Sequence, residues 1–340
     1  MMKPRINIHE VARLAGVSKS TVSRVVSDKG GSVSAKAEQA VNEAIKQLGY
    51  TRNIAAAGLR NARSYLVLLV VPDIANPFWS EIARAVQNKL EPEGYSVVVG
   101  NTDWKEDREL AYLNQFRTGR FDGLIINSVT NDLDLILETG FPTVLIGERS
   151  ETVRVDTVGS ATYQGATLAL QYLYDKGHRR IALVTSATGS ERFLSRRLAA
   201  YTDFMKIRGL SHDPDLVFTA PLSAEGGEKL ARAVYAVLNQ DERPSAIFCG
   251  NDILAIALQN SLRAFGAIPG KDISIIGMDD IPATSLTWPA LTTIRKPRSQ
   301  MGAKAAELLL KRIGAPERAP EQHLYPGTLV IRDSVVDIRN

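Results

Sequence analysis

The sequence has one cysteine and no long apolar run. The single thiol, Cys249, excludes an intrachain disulfide and argues against a secreted, disulfide-rich scaffold. No apolar stretch approaches the roughly 20 residues that span a bilayer. Charged residues also interrupt the N-terminal segment before the apolar core of a signal peptide could form. These absences predict a cytoplasmic protein that has no membrane partner.

The groups that enzymes use are also scarce. There is no phosphate-binding loop and no nucleophile motif, and the few histidines form no metal-ligand pattern; they are His9, His178, His212 and His323. Asp279 and Asp280 could be interpreted as a general-base pair. However, adjacent residues on an extended strand point to opposite faces and are poorly placed to share a proton. The sequence therefore argues against an enzyme and predicts neither cofactor nor metal.

The positive charge is concentrated at the N-terminal end. The whole chain has a net charge of +4, but residues 1–64 hold 11 Lys and Arg against four acids, which is +7. The remaining residues hold 30 basic against 33 acidic side chains, which is −3. A basic segment attached to a slightly acidic body indicates a polyanionic partner for that segment alone.

Residues 7–28 predict two short helices joined by a tight turn. Asn7 and Ser18 are suitable caps for the two helix starts, and Gly16 provides the turn, where a residue without a Cβ fits best. A third helix is predicted from about Ser34 to Leu48. The outward face of the second helix carries Lys19, Ser20, Ser23 and Arg24. Such a face suits insertion into the major groove, although an ordinary helical hairpin with a solvated face has the same pattern.

From Tyr65 onward, short apolar runs alternate with amphipathic stretches. This alternation predicts parallel sheets with helices on both faces, and its length favours two doubly wound lobes with a ligand cleft at the carboxyl ends of the strands. Polar residues follow the predicted strands at 73–79, 101–104, 127–128, 148–149, 251–252 and 279–280. These groups could hold a polyhydroxylated ligand, or half of them could be turn and cap residues.

Nine blocks of sequence occur along the chain in a recognisable order: EVARLAGVSKSTVSRVVS, LGYTRN, VPDIANPFW, FDGLI, KGHRRIALV, CGNDILAIA, ISIIGMDD, PALTTI and LVIRDSV. In these blocks and their order the chain resembles the LacI-type bacterial transcription regulators over essentially its full length. The resemblance implies an all-α helix-turn-helix headpiece and an α/β two-lobed body like that of periplasmic binding proteins, with two doubly wound parallel sheets. It also implies control of DNA affinity by a small molecule.

The resemblance also implies domain boundaries. The headpiece covers 1–50, a hinge helix or linker covers 51–64, and the effector-binding and dimerisation core covers 65–340. Within the core, the first lobe is expected at about 65–162 and 291–323, and the second at about 163–290 and 324–340.

The resemblance places DNA contacts on the headpiece and the linker. Base contacts fall on Lys19, Ser20 and Arg24, of which Arg24 is the best candidate for a bidentate guanine contact. Phosphate contacts fall on Asn7, Ser18, Thr21, Ser23 and Ser34, although helix capping is an alternative role for these residues. Minor-groove contacts from a hinge helix fall on Asn53, Ala56, Ala57 and Leu59, with Leu59 at the position of a wedge between bases.

The resemblance places the effector between the two lobes. By position, contacts are expected from Phe78, Trp79, Arg197, Asn251 and Asp279. Arg149 is an additional cation that would suit an anionic ligand or pair with Glu148. A sugar or sugar acid is favoured, because carboxylates, amides and guanidinium groups match ligand hydroxyls.

Together these features predict a DNA-binding transcription regulator, most often a repressor in this family, whose DNA affinity responds to the effector. The chain lacks a leucine-heptad tail, so a homodimer on a near-palindromic operator is expected. A solute-binding protein with the same body is one alternative. Such a protein would need an export signal, and it would have no use for a basic headpiece. An activator or a regulator that needs a co-repressor is the other.

Overall fold

The computed structural model describes residues 6–26, 33–50, 63–118, 120–130, 132–148, 154–186, 191–221, 223–238 and 242–339. For Leu133 and residues 191–195 it describes the backbone alone. The chain divides into two compact units, Met1–Ser64 and Tyr65–Asn340.

Three helices form the described part of the first unit: α1 (Ile8–Ala15), α2 (Lys19–Val26) and α3 (Ala35–Leu48). They enclose a small core of Val11, Ala12, Val22, Val41 and Ala44. Gly16 ends α1 with φ of 63°, in the left-handed region that glycine adopts without a Cβ clash. The predicted helix pair, its turn and the third helix are therefore present.

The described residues of the body form two six-stranded sheets, one in each lobe. The first sheet has the order β11-β5-β4-β3-β1-β2 and is parallel throughout. Its strands are β1 (Leu66–Val71), β2 (Ser96–Asn101), β3 (Gly123–Ile126), β4 (Thr143–Ile146), β5 (Asp156–Ser160) and β11 (Gln322–Tyr325).

The second sheet has the order β12-β10-β9-β8-β6-β7; its β10–β12 pair is antiparallel and the other described pairs are parallel. Its strands are β6 (Ile181–Ser186), β7 (Val217–Ala220), β8 (Ala246–Cys249), β9 (Ser274–Asp279), β10 (Thr292–Arg295) and β12 (Thr328–Val330).

Helices cover both faces of each sheet, as the uninterrupted apolar strands require. The first-lobe helices are α4 (Pro77–Leu90), α5 (Glu106–Arg117), α6 (Leu133–Leu137) and α11 (Arg298–Gly314). The second-lobe helices are α7 (Thr162–Asp175), α8 (Glu191–Ile207), α9 (Ala224–Leu238) and α10 (Asp252–Ala264). Short 3₁₀ turns lie at Glu91–Glu93, Pro214–Leu216 and Pro282–Ser285. Separate apolar clusters fill the two faces of each sheet, which confirms the doubly wound architecture.

Two of the expected lobe limits are wrong. Residues 291–295 were expected in the first lobe, but β10 pairs with β9, with Arg295 opposite Asp279, so this segment belongs to the second sheet. The third crossing was expected at 323–324, yet that position lies inside β11, which pairs with β5 as far as Tyr325. The chain therefore crosses between the lobes near residues 161, 296–297 and 326–327. All three crossings are short connections that bring the carboxyl ends of the two sheets together.

Candidate DNA-recognition face and effector cleft

The second helix presents the residues predicted to contact bases. Lys19, Ser20 and Arg24 are all exposed, whereas Val22 on the opposite side of α2 is fully buried. Burial of the valine face against α1 and α3 fixes which side of α2 points outward. The helix therefore offers a cluster of donors and acceptors of the kind that reads base edges.

Residues predicted to contact phosphate also cap the headpiece helices. Ser18 Oγ accepts from the Thr21 backbone N–H at 3.1 Å and lies 2.7 Å from Ser20 Oγ. Asn7 Oδ1 accepts from the His9 and Glu10 amides at 2.9 and 3.2 Å. Capping explains why these residue types occur there, and it leaves Asn7 and Ser18 exposed at helix N-termini, where anions bind.

The other predicted DNA contacts fall into two groups. Ser34 is exposed and caps α3 through a bond from the Ala37 amide at 3.4 Å, while Thr21 and Ser23 are half-buried. The predicted hinge residues Asn53, Ala56, Ala57 and Leu59 lie outside the described residues.

A cleft of about 1060 Å³, open to solvent, lies between the lobes. The residues that line it follow the carboxyl ends of strands in both sheets or begin the next helix, as expected for a doubly wound fold. From the first lobe they include Asn76, Phe78, Trp79, Trp104, Asn127, Ser128, Glu148, Ser160 and Met301; from the second lobe and the crossings they include Thr162, Thr185, Ser186, Arg196, Arg197, Gly250, Asn251, Asp279 and Lys296.

A buried ion pair forms one wall of this cleft. Lys296 Nζ lies 2.9 Å from Asp279 Oδ1, and both side chains are less than a tenth exposed. The same ammonium lies 5.5 Å from the centroid of the Phe78 ring, a cation–π distance. Burial lowers the pKa of Lys296, and the charge of Asp279 opposes that shift. Lys296 therefore connects an acid of the second lobe with an aromatic ring of the first.

Arg197 is held against the second sheet by a glycine. Its Nε donates to the Gly250 carbonyl oxygen at 2.6 Å, and a Cβ at position 250 would lie 2.6 Å from Arg197 Cδ. Glycine at 250 is thus required for the guanidinium to pack there. Burial lowers the pKa of Arg197, while the charges of Asp279 and Glu148 oppose the shift.

Asn251 and Asp252 begin α10 and differ in their roles. Asn251 lines the cleft, but its Oδ1 accepts from the Leu254 amide at 2.8 Å, so it also caps the helix. Asp252 is fully buried below the cleft and accepts from the Ile281 amide at 3.0 Å and from Thr293 Oγ1 at 2.6 Å. Burial, together with the charge of Asp279, raises the pKa of Asp252 to about 7.

On the first-lobe wall, Asn127 has one satisfied and one unsatisfied end. Its Nδ2 donates to the Ile146 carbonyl at 2.6 Å, which fixes the orientation of the amide. Its buried Oδ1 has no hydrogen-bond partner in the described part of the chain. The neighbouring loop is fixed from behind by Glu109, which accepts from Ser128 Oγ at 2.6 Å. A buried acceptor on a fixed loop is suited to a ligand donor.

The structure brings together five of the six predicted effector contacts: Phe78, Trp79, Arg197, Asn251 and Asp279. The sixth, Arg149, lies outside the described residues. Phe78 and Trp79 also pack edge to face at 4.9 Å within the first-lobe core.

Asp280 lies outside the cleft lining. It pairs with Arg295 at 2.6 Å and with Arg332 at 2.7 Å, whereas Asp279 pairs with Lys296. The two acids therefore have different partners, although Asp280 follows the end of β9 with φ of 57° and the pair does not lie on an extended strand.

The sequence reasoning missed Arg196 and Lys296. Arg196 could have been predicted because it is next to Arg197. No sequence pattern pointed to Lys296, because it lies in the cleft only through the connection between the lobes at 296–297.

Comparison with known proteins gives two family matches. Residues 7–53 match the bacterial regulatory proteins of the lacI family, and residues 170–335 match the periplasmic binding protein-like domain. The ribose operon repressor of Escherichia coli K12 is 34% identical over 320 residues, which cover 90% of this chain and 93% of the repressor. The chain belongs to the lacI family of bacterial regulatory proteins.

Solved structures of lacI-family proteins agree in fold. The lac repressor dimer bound to operator and the anti-inducer ONPF is 25% identical with a TM-score of 0.85, over 98% of this chain and all of that one. A lacI-family regulator from Enterococcus faecium with bound ribose is 28% identical with a TM-score of 0.71, over 81% of this chain and all of that one. These likenesses confirm the predicted headpiece and two-lobed body.

Family membership also decides between the alternatives. A lacI-family chain is a DNA-binding transcription regulator, so the enzyme and the solute-binding protein are set aside. Within the described residues, no helix is long and apolar enough to cross a membrane, and no group of three or more His, Cys, Asp or Glu could hold a metal ion.

Proposed function

We propose that this protein is a cytoplasmic repressor that binds a near-palindromic operator as a homodimer and changes its operator affinity when a sugar or sugar acid enters the cleft. The observation that carries the proposal is the cleft itself, where Arg197, Asn251 and Asp279 from one lobe face Phe78 and Asn127 from the other. Such a site holds a small polar ligand and depends on the lobes being together.

The headpiece supports sequence-specific reading of DNA. Arg24 is exposed near the end of α2, where a guanidinium can make two hydrogen bonds to guanine, and Lys19 and Ser20 occupy its first turn. Asn7, Ser18 and Ser34 sit at helix starts and set the register through phosphate oxygens. Leu59 in the linker supplies a minor-groove wedge in this scheme.

The first lobe supports dimerisation. β2 lies at the edge of the first sheet and exposes Val98 and Val99, which are 41% and 47% exposed. Ile74, 57% exposed, lies in a groove between α4 and β2 that also includes Ala83 and Val99. An apolar surface at a strand edge favours association with a second copy.

The cleft supports a hydroxyl-rich ligand. Its lining combines carboxylate, amide, hydroxyl and guanidinium groups with three aromatic side chains, a set that matches the hydroxyls and apolar faces of sugars. The similarity to the ribose operon repressor and to a ribose-bound relative supports the same class.

A path from the cleft to the dimer surface runs through Arg298. Its Nη2 donates to the Asp280 carbonyl at 2.9 Å, its Nη1 donates to the Asp279 carbonyl, and its Nε lies 2.7 Å from Glu81 on α4. Ligand contact with Asp279 therefore acts on α4, which borders the apolar groove. Differential binding to two lobe arrangements then changes DNA affinity.

The experiment measures operator binding by the full-length protein, using DNA from the region around its own gene, with and without a panel of sugars and sugar acids. At least one compound is expected to shift the operator Kd.

Arg197→Ala and Arg197→Lys should remove that response while the Kd without ligand stays unchanged. Arg208→Ala is the control, because Arg208 is exposed just beyond the end of the same helix. If Arg197→Ala still responds to the compound, the cleft is not the effector site. If the natural protein does not bind the DNA, the proposal that it is a repressor acting there is wrong. A compound that tightens binding would identify a co-repressor instead.

A further inference from the structure

Three hydroxyl groups meet at the start of α2. Ser18 Oγ lies 2.7 Å from Ser20 Oγ and 2.9 Å from Thr21 Oγ1, and it accepts from the Thr21 backbone N–H at 3.1 Å. Ser18 and Ser20 are exposed, and Thr21 is half-buried. Because Ser20 is one of the residues predicted to contact bases, the direction of its hydrogen bond with Ser18 determines what Ser20 can offer to DNA.

The Ser18 hydroxyl cannot serve both neighbours in the same way. A hydroxyl group has one hydrogen to donate and two lone pairs that accept. The Thr21 N–H uses one lone pair, which leaves one lone pair and one hydrogen for the contacts with Ser20 Oγ and Thr21 Oγ1. One of these two hydroxyls therefore donates to Ser18, and the other accepts from it. The two possible arrangements give Ser20 opposite roles.

The phosphates of bound DNA favour one of these arrangements. Phosphate oxygens only accept, so a hydroxyl that contacts them must donate. Ser18 and Thr21 are both predicted to contact phosphate. If Thr21 donates to phosphate, its oxygen accepts from Ser18; if Ser18 donates to phosphate, its hydrogen is used there. In both cases the Ser18 hydrogen is not available to Ser20, so the 2.7 Å contact between their oxygens is a hydrogen bond in which Ser20 donates.

A Ser20 hydroxyl that donates to Ser18 presents only lone pairs to a base edge. Lys19 and Arg24, the other two residues predicted to contact bases, carry donors and no acceptor. Ser20 is therefore the member of this set that can accept a hydrogen bond from a base. The groups that donate in the major groove are the amino groups at adenine N6 and cytosine N4.

We propose that Ser20 reads an exocyclic amino group, at adenine N6 or cytosine N4, in each half-site of the operator, and that Ser18 fixes this choice by accepting the Ser20 hydrogen. This inference rests on the proposed function, since it names the base chemistry that the same helix recognises. Ser20 is a specificity-determining residue in this arrangement, and Ser18 is a positioning residue. Guanine O6, thymine O4 and purine N7, which only accept, do not match Ser20.

The first measurement finds the base pair that Ser20 contacts. The full-length natural protein and Ser20→Ala each select duplexes from a pool of random sequence. The pair at which Ser20→Ala loses the preference of the natural protein is the Ser20 pair. Ser34→Ala is the control, because Ser34 caps α3 through the Ala37 amide and is predicted to contact phosphate alone. It should weaken binding without changing any base preference.

The second measurement identifies the group that Ser20 contacts in that pair, by fluorescence anisotropy on selected duplexes that carry one base analogue. Unsubstituted purine in place of adenine, or 2-pyrimidinone in place of cytosine, deletes the amino group. A 7-deazapurine deletes N7, 2-aminopurine deletes guanine O6, and 5-methyl-2-pyrimidinone deletes thymine O4. Deleting the amino group should weaken binding of the natural protein about three- to tenfold more than binding of Ser20→Ala, because only the natural protein loses a hydrogen bond. Deleting an acceptor should weaken both proteins equally.

Variants at position 18 test the positioning role. Ser18→Thr keeps the hydroxyl and should retain the preference for an amino group at the Ser20 pair. Ser18→Ala releases the Ser20 hydrogen, so selection at that pair should admit guanine or thymine as well as adenine or cytosine on the strand that Ser20 reads. A merely structural role of Ser18 would weaken binding to all sequences alike. Thermal unfolding of each variant shows whether it remains folded.

Each outcome decides the inference. It is overturned if the natural protein and Ser20→Ala select the same bases, if they lose equal affinity when the amino group is deleted, or if the natural protein loses more when an acceptor is deleted. In all three cases the proposed function stands, because operator binding persists. An unchanged base preference in Ser18→Ala would overturn the role of Ser18. If the natural protein selects no sequence from the pool, the proposed function fails as well.

Discussion

Single residues in this protein hold their charge states through burial and specific partners. Asp252 shows this best, because it is fully buried and yet accepts two hydrogen bonds, one from the Ile281 amide and one from Thr293 Oγ1. Those bonds favour the carboxylate, but burial and the charge of Asp279 outweigh them and raise the pKa to about 7. The folded protein therefore binds a proton at Asp252 at a pH where the unfolded chain has lost it.

This shift makes a prediction about stability and pH. A carboxyl whose folded pKa lies above its unfolded value near 3.8 contributes stability that is full below pH 3.8 and is lost as the pH rises through about 7. Asp252→Asn should remove this dependence, so the free energy of unfolding should fall less between those limits than in the natural chain. Urea unfolding at several pH values measures the difference. Asp333→Asn, at an exposed carboxylate, is the control and should leave the slope unchanged.

At the scale of elements, close helix packing in the first lobe depends on a glycine. Gly302 in α11 faces α4, and a Cβ there would lie 2.6 Å from the Ile82 carbonyl oxygen and 2.8 Å from Ala85 Cβ. Both contacts are too short for packed atoms, and one of them is with backbone. The two helices can therefore approach at this point only because position 302 has no side chain.

Gly302→Ala is expected to destabilise the body by about 1–3 kcal/mol, because the helices must separate to admit the methyl group. Gly314→Ala is the matched control, since Gly314 ends the same helix and a Cβ there would meet nothing within 4 Å. Chemical denaturation of the two variants compares their free energies of unfolding. Equal free energies of unfolding for Gly302→Ala and Gly314→Ala would show that α11 and α4 accommodate the methyl group without losing stability.

The sequence predicts elements well where a run of apolar residues exists and poorly where burial rests on long-range pairing. β1, β6 and β9 are mostly apolar runs of the kind that predicts a buried strand, but β5 reads DTVGS and is buried throughout although only one of its residues is apolar. Its Asp156 is fully buried, and it pairs with Arg312 in the last turn of α11 and with Arg318 just beyond that helix. Those partners are more than 150 residues away in the chain, so no local pattern indicates this strand.

Pairing between residues far apart in the chain also limits what the sequence predicts about the cleft. Asp279, Asn251 and Arg197 follow strands or sit on helices whose pattern is visible, and the family resemblance placed them. Lys296 is buried only because a crossing brings it between Asp279 and Phe78, which lie in different lobes. Its role depends on the arrangement of both sheets, which the sequence alone does not provide.

At the scale of the whole molecule, the two compact units predict separable functions. A chain of residues 65–340 retains both sheets and every described residue of the cleft, but it lacks the basic segment and α2. It should bind the effector with the Kd of the full-length protein and lose operator binding. Calorimetry measures the first quantity and fluorescence anisotropy the second. Operator binding by this shortened chain would show that DNA recognition is not confined to the first 64 residues.

The three crossings between the lobes have a mechanical consequence. A single connection would let one lobe rotate freely about the chain, whereas three neighbouring connections near 161, 296–297 and 326–327 act together as one bending axis. The lobes then move mainly by opening and closing, because the three connections restrict twisting or sliding of one lobe against the other. A ligand that closes the cleft consequently drives a displacement of fixed direction at the far side of each lobe.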